Sequence, residues 1–359
     1  MTRKNSSLYP PPTDSYPYHL DVKKVIPNLP DNKMVFHMVG DTGGLVSPIY
    51  KHRVANQMIR QCHDAASTTD YPQFFFHLGD VVYNYGQAEE YYPQFFEPYD
   101  NYPGPIFAIA GNHDADIDPF DTKKPNSLEA FMQVFCDTNS RHIRFAGKSG
   151  RNSNIQPNVY WTLNTPLANF ISLYSNVPRF GAITSIQKEW FMEELKVAAK
   201  NRDEKATILC LHHAPYSADT NHGSSIHMQH FLAAAFEEAK IIPDIVFSGH
   251  VHNYQRFRKL YANGKTVPFI VAGAGGFADL HKIAQPGDPE FPDTSNLFDN
   301  VHLENYCDDR HGFLKITIEK TREGLALNGA YYTIPTADND NSPSVAYDSF
   351  TVKIFSLSS

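Results

Sequence analysis

The chain carries only four cysteines in 359 residues: Cys62, Cys136, Cys210 and Cys307. No two of them form a C-x-x-C pair, which argues against a thiolate zinc site and against a dense disulfide framework. The plain reading is four buried small hydrophobes; a single bridge, such as Cys136–Cys307, stays open beside it. Basic runs are missing too. With 31 Lys and Arg against 39 Asp and Glu, the net charge is −8, and nothing suggests a nucleic-acid-binding face. No apolar stretch approaches the ~20 residues of a membrane span. The opening residues are basic but no apolar segment follows them, so a secretory leader is not expected. The default expectation is a soluble cytoplasmic protein. Internal repeats and low-complexity tracts are absent as well.

What is abundant is aromatic: 25 Phe and 20 Tyr. These favour a strand-rich, tightly packed interior. Residues 1–32, rich in Pro, Ser and Tyr, read as an extended arm, and 33–359 as one domain. Short apolar runs then alternate with longer amphipathic stretches. The runs are Met34–Val39, Phe74–Leu78, Ile106–Ala110, Ala206–Leu211 and Ile245–Phe247. Apolar throughout, they read as strands buried on both faces. Helices are expected over about 50–66 and 184–200. In the second, Thr184 and Gln187 have capping-box spacing, and Ile186, Trp190, Phe191 and Leu195 make an apolar face. From about 312 the pattern turns to strands again, at Phe313–Glu319, Leu325–Thr333 and Phe350–Phe355, with a polar loop over Thr336–Pro343.

Buried strands normally end in ordinary turns. Here five end in Asp, Asn or His: Gly40-Asp41, Gly79-Asp80, Gly111-Asn112-His113-Asp114, His212-His213 and Gly249-His250-Val251-His252. Loops at the carboxyl ends of strands in α/β sheets converge on ligands. A shared set of carboxylate and imidazole donors without thiolate suits Fe, Zn or Mn. A lone Gly-Asp is usually only a turn. The informative feature is the ordered series.

That series resembles the calcineurin-like metallophosphoesterases. Two details narrow the likeness to purple acid phosphatases. Gly43 stands where many members carry a metal-binding His. Tyr83, three residues after Asp80, stands where the purple enzymes carry a Tyr. Gly249–Arg256, the Gln187-Trp190-Leu195 helix and Gly273-Ala274-Gly275-Gly276 extend the resemblance, which covers about 34–320. It implies a four-layer α/β/β/α sandwich, two mixed sheets packed together with helices on both outer faces.

The resemblance also implies roles. Asp80 would bridge two metals. Asp41, Asp80, Tyr83 and His252 would hold Fe(III), and Asp80, Asn112, His213 and His250 a divalent Fe, Zn or Mn. The family's ligand lies two residues before a proline, so Pro215 selects His213 over His212. His222, nine residues on, would be the general acid, and His113 would contact the phosphate. Asp114 would orient a neighbouring imidazole. The implied activity is acid hydrolysis of phosphate monoesters by attack of a metal-bound hydroxide. The alternatives are a phosphodiesterase acting on nucleotide or lipid head-group diesters and a non-catalytic metal-binding fold. Secretion or a lysosomal location is equally compatible with the resemblance. His37 and His77 read as core histidines, and His227 and His230 as a helix surface. The aromatics from Tyr85 to Tyr102 read as core packing before pocket lining.

Overall fold

The computed structural model describes residues 9–47, 49–122, 125–177, 181–285, 287–288, 291, 298–336 and 342–356. Fourteen strands form two mixed sheets among these residues. The smaller sheet contains β2 (Lys33–Val39), β3 (Phe74–His77), β4 (Ile106–Ala108), β12 (Gly312–Thr321), β13 (Gly324–Thr333) and β14 (Val345–Ser356), in the order β14-β13-β12-β2-β3-β4. β2, β3 and β4 run parallel, and the last three strands pair antiparallel.

The larger sheet contains β1 (His19–Asp21), β5 (Trp161–Asn164), β6 (Ala168–Ser172), β7 (Ala206–Cys210), β8 (Ile245–Ser248), β9 (Tyr254–Leu260), β10 (Thr266–Ala272) and β11 (Val301–Cys307). Its order is β1-β5-β6-β7-β8-β10-β9-β11, with β6, β7, β8 and β10 parallel. Part of the N-terminal arm is therefore an edge strand. It is tied down where Trp190 Nε1 donates to Pro17 O over 2.7 Å and His19 meets Glu194 at 2.8 Å.

Strand alternation explains the doubly apolar runs. Phe74 and Phe76 face the larger sheet beside Phe36, Phe107, Phe170 and Phe247, while Phe75 faces outward. Ile208 and Cys210 point into the same inter-sheet core, and Leu209 and Leu211 point out. Helices cover these outer faces. Val54, Met58 and Cys62 of α1 (Ile49–Asp64) pack over the smaller sheet. Trp190 and Phe191 of α5 (Ser185–Lys200) and Leu232 of α6 (Ile226–Ala239) pack over the larger. The short helices α2 (Glu97–Tyr99), α3 (Asn112–Ala115) and α4 (Glu129–Phe135) lie between. The four-layer sandwich is as expected.

All four cysteines are buried and free, as the plain reading has them, and Cys136 and Cys307 do not pair. Two local expectations change. The capping box at α5 is half made: Thr184 accepts from the Gln187 backbone, but the Gln187 side chain instead bonds both backbone groups of Tyr174. Ile186, placed on the apolar face by spacing, is 65% exposed, while Gln187 takes the buried position. The polar loop expected over Thr336–Pro343 lies for the most part outside the described residues. Among those residues, no helix is long and apolar enough to cross a membrane.

Candidate metal centre

The parallel strands of both sheets end at one place. Three of the turns there use the left-handed backbone region, which non-glycine residues seldom adopt: Asp41 (φ 58°), Asp80 (φ 53°) and His250 (φ 69°). Such conformations cost about 1–3 kcal/mol each and persist where the surroundings over-determine them. Asp41 and Asp80 are buried, and their oxygens are fixed by backbone N–H groups. His250 N donates to Asp41 Oδ2 and His113 N to Asp80 Oδ1, both over 2.9 Å. Glycine makes the approach feasible. A Cβ on Gly111 would lie 2.1 Å from Asp80 Oδ1, and one on Gly249 2.7 Å from Asp41 Oδ2.

On one side of Asp80, the Tyr83 hydroxyl donates to Asp41 Oδ1 over 3.3 Å and lies 3.3 Å from His252 Nε2. On the other side, His212 Nε2 is 3.3 Å from Asp80 Oδ2 and 3.2 Å from Asn112 Oδ1. His250 Nδ1 donates to the same amide oxygen over 2.9 Å. One ligand atom each from Asp80, His212 and His250 lie within 4.8 Å of one another.

The two adjacent histidines take different places. His212, not His213, sits between Asp80 and Asn112, and its Nδ1 donates to Leu78 O over 2.8 Å. A backbone carbonyl on the far nitrogen is how ligating imidazoles are usually oriented. His213 meets Ser175 Oγ through Nδ1 at 2.9 Å and lines the adjoining cavity. Strand alternation could not decide between them, because β7 stops at Cys210 and the chain bends through both histidines.

The electrostatics suit a cation. Burial raises Asp41 well above the ordinary carboxylate range, with the Asp80 charge adding to it. Burial works the same way on Asp80, yet the surrounding histidines, His212 foremost, hold it well below that range. Burial likewise opposes charging His212, but Asp80 and Asp41 outweigh it and lift its pKa to about 9. His213 and His252 are pushed down to about 3, chiefly by burial. His252 Nδ1 is buried and has no hydrogen-bond partner among the described residues. Two carboxylates, a phenol, an amide oxygen and the imidazoles of His212, His250 and His252, the last two held neutral chiefly by burial, form a donor set that fits one or two metal ions, a cation taking the place of the proton that Asp80 and Asp41 favour on His212.

His113 and His222 flank this cluster. The His113 ring packs 4.4 Å from that of Tyr83, and its Nδ1 donates to Asn84 O over 2.9 Å. The His222 ring lies 4.6 Å from that of His250, exposed at the cavity rim. Asp114 departs from expectation. It orients no imidazole but accepts the backbone N–H groups of Gly111, Val81 and Val82 over 2.9–3.2 Å, locking two of the loops together. Burial, helped by Asp80, raises its carboxyl to about 6.

Some supports were missed in the sequence. Gln94 accepts from Gly44 N and Tyr83 N and donates to Tyr83 O, gripping the Tyr83 turn. It hides among aromatics of which Tyr91, Phe95, Phe96, Tyr99 and Tyr102 are buried as expected, while Tyr85 is exposed and Tyr92 half-buried. Asp219 accepts from the backbone of Asn221 and His222 over 2.7 Å and lies 3.5 Å from His281 Nδ1, whose ring is 4.4 Å from that of His252. No motif pointed to either residue.

Comparisons with known proteins bear on the fold and the family. Purple acid phosphatase 21 of Arabidopsis thaliana is 28% identical over 178 residues, covering 48% of this chain and 36% of that protein. The chain spans less than half the length of the curated relatives it matches. Among solved structures, purple acid phosphatase PPD1 from yellow lupin (Lupinus luteus) seeds superposes with a TM-score of 0.61 at 17% identity. It covers 96% of this chain and 55% of that one. GAP50, the anchor in the inner membrane complex of Plasmodium, gives 0.58 at 14% identity with 90% of each chain covered. At such identities these two likenesses concern the fold alone. The family model of the calcineurin-like phosphoesterases matches residues 34–254. Since that span runs from the strand before Asp41 past His252, the chain belongs to the calcineurin-like phosphoesterase family and is similar within it to the purple acid phosphatases.

Proposed function

We propose that the chain is a metal-dependent phosphatase that hydrolyses phosphate monoesters at acid pH through a pair of cations bridged by Asp80. The observation that carries this is the convergence of Asp80, His212 and His250 within 4.8 Å, with Asp41, Tyr83 and His252 joined on the other side of Asp80. Asp41, Asp80, Tyr83 and His252 would hold Fe(III), for which a phenolate is a hard anionic donor. Asp80, Asn112, His212 and His250 would hold divalent Fe, Zn or Mn, with His212 in the role first assigned to His213. Paired cations supply phosphate polarisation, an activated water and stabilisation of the leaving oxygen.

The remaining work falls to the chain's own groups. His222, at the rim beside His250, holds the proton that the departing alkoxide needs. His113 keeps Asp80 in place through its backbone N–H, and its imidazole stands at the edge where a phosphate oxygen would sit. Metal analysis and a visible spectrum, with turnover of p-nitrophenyl phosphate against its bis ester, test the reading. Two metals, a purple or pink colour and faster monoester turnover are expected. Diester rates far above monoester rates, or no turnover with both metals bound, would overturn it.

A further inference from the structure

Behind His222 lies a second polar cluster, outside the ligand set. Asp219 at its centre is fully buried. Its Oδ1 accepts the backbone N–H groups of Asn221 and His222, both over 2.7 Å. Its Oδ2 accepts from Asn253 Nδ2 over 3.0 Å and lies 3.5 Å from His281 Nδ1. That nitrogen is buried and makes no hydrogen bond of regular geometry among the described residues, so its tie to the carboxylate is electrostatic. At the other nitrogen of the ring, Asn221 Nδ2 donates to His281 Nε2 over 3.1 Å. Thr220 N donates to Lys282 O and Ala284 N to Ala218 O, so the two segments are joined on either side of the pair. The His222 ring stands between two imidazoles, its centroid 4.6 Å from that of His250 and 4.9 Å from that of His281.

We propose that Asp219 and His281 are positioning residues for the proton donor: together they fix the turn that carries His222 and hold its ring toward the leaving oxygen. The assignment rests on the phosphatase reading and on the place of His222 in it. A proton donor must come within about 2.6–3.2 Å of the atom it serves, and a misplacement of about 1 Å can cost on the order of 10²-fold. His222 stands on a turn before Gly223, not on a strand or helix, so regular structure does not supply that precision. The carboxylate does. By accepting two successive N–H groups it closes the turn through Asn221 and His222. His281 then closes the outer side of the ring, and the Asn221 amide keeps His281 from swinging away. A charge buried as Asp219 is needs partners in any setting. What singles out this arrangement is their identity: the backbone of the proton donor, the backbone of its neighbour, and the ring that packs against it.

The test compares two aryl esters with the metal-loaded protein. Phenyl phosphate releases a phenoxide that needs a proton, and 2,4-dinitrophenyl phosphate a phenolate that is stable without one. His281→Ala is expected to lower kcat for phenyl phosphate about tenfold or more, at or below the usual contribution of a placed proton donor. The loss for the dinitrophenyl ester should be far smaller, with two metals still bound. His222→Ala should show the same selectivity, and His281→Ala added to it should cost nothing further, because the two act as one unit. Asn221→Ala, at an exposed position, loses the hydrogen bond to His281 and should show the selective loss in weaker form. Where His281→Ala does not fold, the absence of that loss in Asn221→Ala overturns the inference. Equal losses for both esters, loss of metal, or additive losses in the double variant would also overturn it and leave the phosphatase reading standing. Wild-type protein that turns over neither ester with two metals bound would overturn both.

Discussion

The two sheets deliver different chemistry to one centre. The ends of β2, β3 and β4 supply oxygen: Asp41, Asp80, Tyr83 and Asn112. The ends of β7 and β8 supply nitrogen: His212, His250 and His252. The halves are also held differently. The carboxylates are set by backbone N–H groups on tight turns, as with His113 N on Asp80 and His250 N on Asp41. The imidazole of His212 is set by a carbonyl, Leu78 O, just past the end of β3 in the smaller sheet. Each half therefore helps to position the other. The lesson is that the centre is a joint between the sheets, and metal occupancy should couple them.

The largest expected effect comes from removing the residue common to both halves. Asp80→Ala should abolish binding of the bridged pair and cost several kcal/mol of transition-state stabilisation, about 10³-fold in kcat/KM. Near wild-type metal content and turnover in that variant would separate the two halves entirely.

Next comes the nitrogen half, where the adjacent histidines give a sharp contrast. His212→Ala should lose about one metal per chain and ~10²-fold in rate. His213→Ala should keep both metals and change mainly substrate preference. Elemental analysis of the two variants decides it, and metal loss in His213→Ala alone would restore the assignment made from the proline spacing.

On the oxygen side, Asp114→Ala leaves three backbone N–H groups without their acceptor. At about 1–3 kcal/mol for each unpaired group, partly offset by entering water, urea denaturation should show a loss of about 3 kcal/mol. A loss below ~1 kcal/mol would mean that the carboxylate is not what joins these loops. The smallest structural effect is expected from Tyr83→Phe, which removes one hydroxyl. It should fold and retain a divalent metal, and the visible absorption should disappear. Unchanged colour would remove Tyr83 from the iron site.

Much of the candidate site was legible because its polar residues follow apolar strands at fixed points. Asp41, Asp80, Asn112, His250 and His252 each stand within a few residues of a strand's end, and Tyr83 stands at a spacing that only a motif could flag. The sandwich was legible for a related reason: runs such as Phe74-Phe75-Phe76 have no polar face and need cover on both sides. Residues that act through distant partners were not legible. Gln94 grips a turn eleven residues away from inside an aromatic stretch. Asp219 draws its meaning from Asn253 and His281. Asp114 sits next to the expected ligands, yet its partners are N–H groups, which leave no mark in a sequence.

Sequence alone placed carboxylates, an amide and imidazoles, without sulfur, at the ends of strands in two groups, as candidates for one centre. Period-two burial and the chemistry of the side chains suffice for that. Which of the two neighbouring histidines lies against Asp80 and Asn112 emerged with the packing of the two sheets. Beyond the last paired residue of a strand, side-chain direction is no longer governed by alternation. It is governed by whichever groups the rest of the fold brings within hydrogen-bonding distance, here Leu78 O and Asp80 for His212 and Ser175 for His213.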